Sequence, residues 1–282
     1  MQQVRHEATA VKIGTSAEAV AGAPRPTPVN RSRRILGMRV DATSYAAAAE
    51  QVITWAKAGE SRYVCVSTVH MVMEGHDRAE FQRIVNAADL VTPDGMPLVW
   101  GLKLLGIPSA TRVYGPDLTP VVCERAAREG VPVGFYGGTP EVLDRMIANL
   151  TARYPGLQVV YRHSPPFRPL TAEEEAREIE EIRASGARIL FVGLGCPKQE
   201  QWMAARRGRI DAVMLGVGAA FDFLAGTKRQ APDLIQSLGL EWLFRLATEP
   251  RRLWRRYLYN NPRFVVLFAA QILKGRIPWE AR

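Results

Sequence analysis

The chain is poor in the residues that hold metals and crosslinks. Its 282 residues include three cysteines and four histidines. Cys65, Cys123 and Cys196 are far apart and odd in number, so they form neither a metal-type pair nor a disulfide framework, which suits a reducing cytoplasm. His6, His70, His76 and His163 lack metal-ligand spacing. No D-x-D occurs, which removes the usual carboxylate pair for a metal-bound diphosphate. No G-x-x-x-x-G-K-[ST] occurs, which argues against a P-loop. Long apolar runs are also missing. The stretch "FVVLFAAQIL" at 264–273 is about half of the roughly 20 residues a spanning helix needs. The first thirty residues carry no signal-type apolar core, and 1–34 is expected to be a disordered extension.

What is present is a hydrophobic share of 47%, enough for one large domain with an appendage. The net charge of +9 is unevenly spread. Residues 1–34 hold six basic and two acidic side chains, and 245–276 hold eight basic and one acidic. The stretch 35–244 is therefore left at −2, and the last six residues cancel. A near-neutral body with a basic tail points to an anionic partner for the tail, a membrane surface or nucleic acid. A nucleic-acid binder should carry its basic residues on the body, which argues against that partner.

Short β-rich runs recur at 35–40, 62–67, 89–92, 131–137, 157–161, 188–193 and 211–218. Helical stretches lie between most of them. One opens at Thr43–Ser44 and closes at Gly59, a second opens with "TP" at 139–140, and a third opens with acids at 173–175 and closes at Gly186. The alternation predicts an α/β fold: a largely parallel, Rossmann-like sheet with helices on both faces over 35–244. From 245 to 282 no strand signal remains. Leu253, Trp254, Tyr257 and Leu258 recur at helical spacing among Arg251, Arg252, Arg255 and Arg256. That pattern predicts a basic, amphipathic, membrane-associating helical appendage. Trp254, Tyr257 and Phe264 are its expected interfacial aromatics.

Three glycine turns follow expected strands. "FYGGTPEVL" supplies Gly137 and Gly138. "FVGLGCPKQEQW" supplies Gly193 and Gly195, then Lys198, Gln199 and Glu200. "LGVGAAFDFLAG" supplies Gly216 and Gly218, then Asp222. Small residues before a helix let backbone amides approach a phosphate. Neither "GLGCPK" nor "GVGAAF" completes G-x-G-x-x-G, and neither opens the first βα unit, so a dinucleotide enzyme fits poorly. A nucleotide or nucleotide-sugar pocket fits better, with its diphosphate met by amides and arginines. "DLVTPDGMPLVWG" places one carboxylate, Asp94, at the mouth of a strand. An acid there is either turn chemistry or part of a site.

"ADLVTPDGMPLVW", "RVYGPDL", "GLGCPKQEQW", "GVGAAFDFLAG" and "GLEWLFRLATEPRR" occur in this order. Together they resemble the WecG/TagA/CpsF family of glycosyltransferases, glycosyltransferase family 26, over about residues 35–260. "VHMVMEG" and "SPPF" resemble the exopolysaccharide members, such as the xanthan glucosyltransferase. The resemblance implies an inverting, metal-independent enzyme without a cofactor. It implies a nucleotide-sugar donor, in the uridine diphosphate class, carrying glucose, N-acetylmannosamine or its uronic acid. It also implies an acceptor on undecaprenyl diphosphate at the inner face of the plasma membrane. The family's base maps to Asp94. Arg112 and Gln199 match motif positions, and Arg245, Arg252 and Arg255 match the arginines that meet the diphosphate. Where many members carry T-x-N this chain reads "VSTVHM", which makes Thr68 and His70 candidates for acceptor contacts. Where many read R-A-P it has Gln230, with Arg229 as the candidate substitute. The oligomeric state stays open, a homo-oligomer included. The competing class is a non-catalytic membrane-binding module of a polysaccharide assembly complex.

Overall fold

The computed structural model describes residues 31–274. The disordered extension expected over 1–34 falls largely outside the described residues, as does the end of the tail, 275–282. Where one strand was expected over 35–40, the chain reverses. Strands β1 (Ser32–Ile35) and β2 (Met38–Asp41) form an antiparallel hairpin. Its turn is Leu36–Gly37, with φ of 50° and 87°. Two successive left-handed residues are what a two-residue hairpin turn requires. Leucine adopts that conformation at a cost. The turn is held from outside, because the Leu36 N–H donates to Gln271 Oε1 at 2.7 Å.

The remaining strands build one parallel sheet. They are β3 (Arg62–Ser67), β4 (Leu90–Pro93), β5 (Val133–Gly137), β6 (Val159–His163), β7 (Ile189–Gly193) and β8 (Val213–Gly216). Their spatial order is β4-β3-β8-β7-β5-β6. All five neighbouring pairs are parallel. The strands are nearly continuous apolar runs because both faces are covered. In β3, Tyr63 and Cys65 enter one core while Val64 and Val66 enter the other. Helices α1 (Tyr45–Lys57), α5 (Gly115–Glu129) and α6 (Pro140–Arg153) cover the second face. Helices α2 (Val69–Asp77), α3 (Ala79–Asn86), α4 (Met96–Leu104), α7 (Ala172–Ser185) and α8 (Lys198–Arg206) cover the first, together with the hairpin. The expected helix starts hold. Ser44 and Thr139 accept from the amides of Ala47 and Val142, and Thr171 forms a capping box with Glu174.

Beyond β8 the chain is helical: α9 (Ala220–Leu224), α10 (Asp233–Ser237), α11 (Glu241–Thr248) and α12 (Pro250–Leu273). The boundary expected at 245 falls inside α11. Helix α12 is docked on the body rather than free. Leu253, Phe264 and Phe268 are buried, and the two phenylalanines belong to the hairpin-side core. Burying side chains of this size stabilises by about 1.5–3 kcal/mol each. Phe264 is therefore a core residue and not an interfacial aromatic. Trp254 and Leu258 remain about half exposed, at 48% and 58%. Among the described residues, no helix is long and apolar enough to cross a membrane.

Candidate active site

The carboxyl ends of β3, β4, β5, β7 and β8 lie along one edge of the sheet, where open α/β folds place their ligands. Asp94 follows β4 directly. Its amide donates to the Ser67 carbonyl at 2.9 Å, which prolongs the β3–β4 pairing by one step. Helix α4 then starts at Met96, with Pro97 in its first turn. Asp94 is thus pinned between a strand end and a helix start, with its side chain 14% exposed.

Arg112 organises this corner. Its Nε donates to the Asp94 carbonyl, and Nη2 lies 3.4 Å from Asp94 Oδ1 while also pairing with Glu241 of α11. Nη1 donates to Gln236 at 2.9 Å, and the guanidinium stacks 4.0 Å above the Tyr114 ring. Burial pushes the Asp94 carboxyl up to about 7; Arg112 pulls it down and Glu241 pushes it up. An acid held there is a competent base at neutral pH. His70 goes the other way. Burial and the Arg256 charge push its imidazole down to about 3, so it is neutral at pH 7. Its Nδ1 sits 3.3 Å from the Asn260 side-chain nitrogen.

The cavity over Asp94 is lined by Thr68, His70, Arg112, Tyr114, Arg245 and Arg256, among others. Thr68, Asp94, Tyr114, Arg245 and Arg256 also line a second cavity of about 390 Å³. That cavity is bounded by the turn after β7, with Gly195 and Gln199, and the turn after β8, with Gly218 and Asp222. Arg252 and Phe167 line it too. An outer cavity of about 600 Å³ continues past Gly138, Lys198 and Trp202.

The guanidinium groups of Arg245 and Arg256 are short of partners. The Nε of each is buried without a hydrogen-bond acceptor. Two carboxylates that feel the Arg245 charge are engaged elsewhere, Glu241 by Arg112 and Glu249 by Arg252 and Lys228. Burial pushes Arg256 below its ordinary value, and the charges of Arg245 and Arg252 push the same way. Buried donors left unsatisfied are costly, and an anion would satisfy them.

Several expected site residues have other surroundings. Gly137 lines none of these cavities. Its φ is 118°, and a Cβ there would lie 2.7 Å from the Gly193 backbone, so glycine serves close approach between β5 and β7. Glu200 is fully buried and lines none of these cavities. It accepts from Gln199 Nε2 at 2.7 Å, while Gln199 Oε1 accepts from the Gly195 amide at 3.1 Å. Arg255 is exposed and stacks on Trp254. Arg229 is exposed, and its neighbour Lys228 instead bridges Asp222 and Glu249 at 2.9 and 3.6 Å. The sequence reading missed Tyr114, Glu241 and Arg256. Tyr114 and Glu241 stand inside "RVYGPDL" and "GLEWLFRL", and Arg256 is one residue past a chosen arginine.

Among the described residues no three His, Cys, Asp or Glu side chains converge as a metal site. A poised carboxylate facing anion-seeking arginines, on the carboxyl edge of a parallel sheet, suits an α/β enzyme that handles phosphate-bearing substrates. A model of the glycosyl transferase WecG/TagA/CpsF family matches residues 33–278. The chain belongs to that family and is a glycosyltransferase.

Proposed function

We propose that the protein moves a sugar, with inversion, from a uridine-diphosphate-class donor to an acceptor carried on a polyprenyl diphosphate. The observation that carries this reading is the meeting of Asp94 with the partner-poor guanidinium groups of Arg245 and Arg256 in one cavity. Asp94 takes the proton of the acceptor hydroxyl as that oxygen attacks the anomeric carbon. The nucleoside diphosphate leaves toward the glycine turns and Arg252, which lines the same cavity, and these meet the developing charge. One base suffices for a single displacement, since no covalent intermediate forms. Arg112 holds Asp94 in place and moderates its pKa. The glycine-turn amides and Arg252 take over the role a divalent ion plays in other glycosyl transfers.

The acceptor class is supported by α12. It carries exposed Arg251, Arg252 and Arg255 beside exposed Trp254 and Leu258, a surface suited to an anionic membrane. We assign the enzyme to the cytoplasmic membrane face, in surface or exopolysaccharide assembly. The decisive assay is a donor panel of UDP-glucose, UDP-N-acetylmannosamine and its uronic acid against lipid-diphosphate acceptors, with the product anomer read by NMR. One donor is expected to transfer with inversion. Retention would overturn the single displacement, and no transfer from any donor would overturn the enzymatic reading and favour a non-catalytic assembly module.

A further inference from the structure

The cavity over Asp94 continues past its arginines into a groove of about 820 Å³. Val69, Pro97, Gly239, Trp242, Tyr257 and Asn261 line both, so the two form one trough. Its two ends differ in chemistry. The Asp94 end holds Arg112, Arg245 and Arg256, whereas among the described residues no charged side chain lines the groove. Trp100 and Leu104 of α4 form one wall, and Val265, Phe268 and Ala269 of α12 form the other. Gly239 lets the chain lie against the first wall, since a Cβ there would meet the Trp100 ring at 2.7 Å.

This apolar surface is open. Leu104 is 69% exposed, Val265 64% and Leu273 86%. Contiguous apolar exposure of this kind marks a binding surface. The groove's volume is that of a small-molecule site, roughly 300–1,000 Å³. A nucleotide sugar has no hydrocarbon to place there. A ligand with an anionic head and an apolar chain matches both ends at once, the head at the arginines and the chain along α12.

We propose that the groove is the subsite for the first isoprenyl units of the polyprenyl diphosphate acceptor. This rests on the acceptor class argued above. A concave trough continuous with the arginine cavity suits a single chain led out of the bilayer. In that position the diphosphate lies at Arg245 and Arg256, and the sugar it carries is presented to Asp94. The groove therefore selects acceptors by their lipid, while the glycine turns select the donor.

The test is calorimetric titration of the full chain with pyrophosphate, geranyl diphosphate and farnesyl diphosphate. Affinity is expected to rise with chain length, by at least about tenfold from pyrophosphate to farnesyl diphosphate. Leu104→Glu and Ala269→Trp change exposed wall positions. Each is expected to cut that gain to within about threefold while leaving pyrophosphate binding unchanged. Equal affinity for all three probes in the wild type, or an undiminished gain in both variants, would overturn the subsite. So would three other patterns. Loss of phosphatidylglycerol-vesicle binding with the farnesyl gain intact would mean the groove faces the bilayer. Dissociation of an oligomer with the gain intact would mean a second copy covers it. A farnesyl gain seen only after ending the chain at Lys274 would mean residues 275–282 fill it. Failure of sugar transfer would defeat the enzymatic reading and leave these binding ratios standing.

Discussion

The turn after β4 and the first turn of α8 after β7 each carry one carboxylate that burial pushes up to about 7, Asp94 and Glu200. The shifts are alike and the surroundings are not. Asp94 opens onto a cavity and faces Arg112, Arg245 and Arg256. Glu200 has no exposed surface, lines none of the cavities around Asp94 and is bonded to Gln199, which in turn closes the Gly195 turn. A raised pKa therefore marks burial at both places, and access to substrate separates a base from a support. Perturbed titration alone would have nominated both.

The largest expected effect breaks the comparison on the Asp94 side. Asp94→Asn keeps the shape and removes the basicity, so transfer should fall on the order of 10²–10⁴-fold in steady-state assays. Turnover within tenfold of wild type would strip Asp94 of its role. The pH profile comes next. Because the base must be ionised, kcat/KM should rise about tenfold per pH unit below about 7 and level off above it. Glu200→Gln should leave that limb where it is, and a displaced limb would show that Glu200 titrates in the reaction.

Arg256→Ala should raise the KM for the diphosphate-bearing substrate by about 10–100-fold, since hydrogen bonds to charged groups contribute about 1.5–3 kcal/mol. Arg255→Ala, on the exposed side of α12, should stay within about twofold in detergent solution. Equal effects of the two would show that the cavity arginine is not special.

Glu200→Gln should change turnover by no more than about threefold, and its signature is stability. Both carboxyls have folded pKa values raised above their ordinary ones, so the protonated forms are favoured by folding. Their contribution is complete below about pH 4 and is lost as pH rises to about 7. The amide removes that loss, so the variant should be more stable than wild type at pH 8, by on the order of 1–3 kcal/mol, and little different at pH 4. Denaturant melts at the two pH values read this directly. The smallest expected effect is that of excess EDTA, which should leave the transfer rate unchanged. Loss restored by magnesium would mean that the glycine turns and Arg252 do not suffice for the leaving diphosphate.

Periodicity and caps made the body legible in advance. "RYVCVS" became β3 with the expected bounds, because a strand buried on both faces is an unbroken apolar run. Ser44, Thr139 and Thr171 started their helices because a cap is a contact three residues long. "ILGMRV" misled because a hairpin turn sat inside an apolar run, and the contact that holds it, from Gln271, comes from 235 residues away.

For the candidate site, a strand end marked Asp94, and the family resemblance supplied Arg112 and Arg245. Sequence order could not separate Arg256 from Arg255, or Glu200 from Asp94. On a helix, adjacent residues differ by about 100° in direction, so which arginine faces the cavity depends on how α12 docks. That docking is set by Leu253, Phe264 and Phe268 entering the core. By itself the sequence determined the strands, the glycine turns and the placing of an acid at a strand end, because these follow from neighbours along the chain. Only the tertiary structure decided which cations surround Asp94, that Glu200 is sealed, and that an apolar groove leads from the site, because each depends on long-range burial that brings α11 and α12 over the edge of β3 and β4.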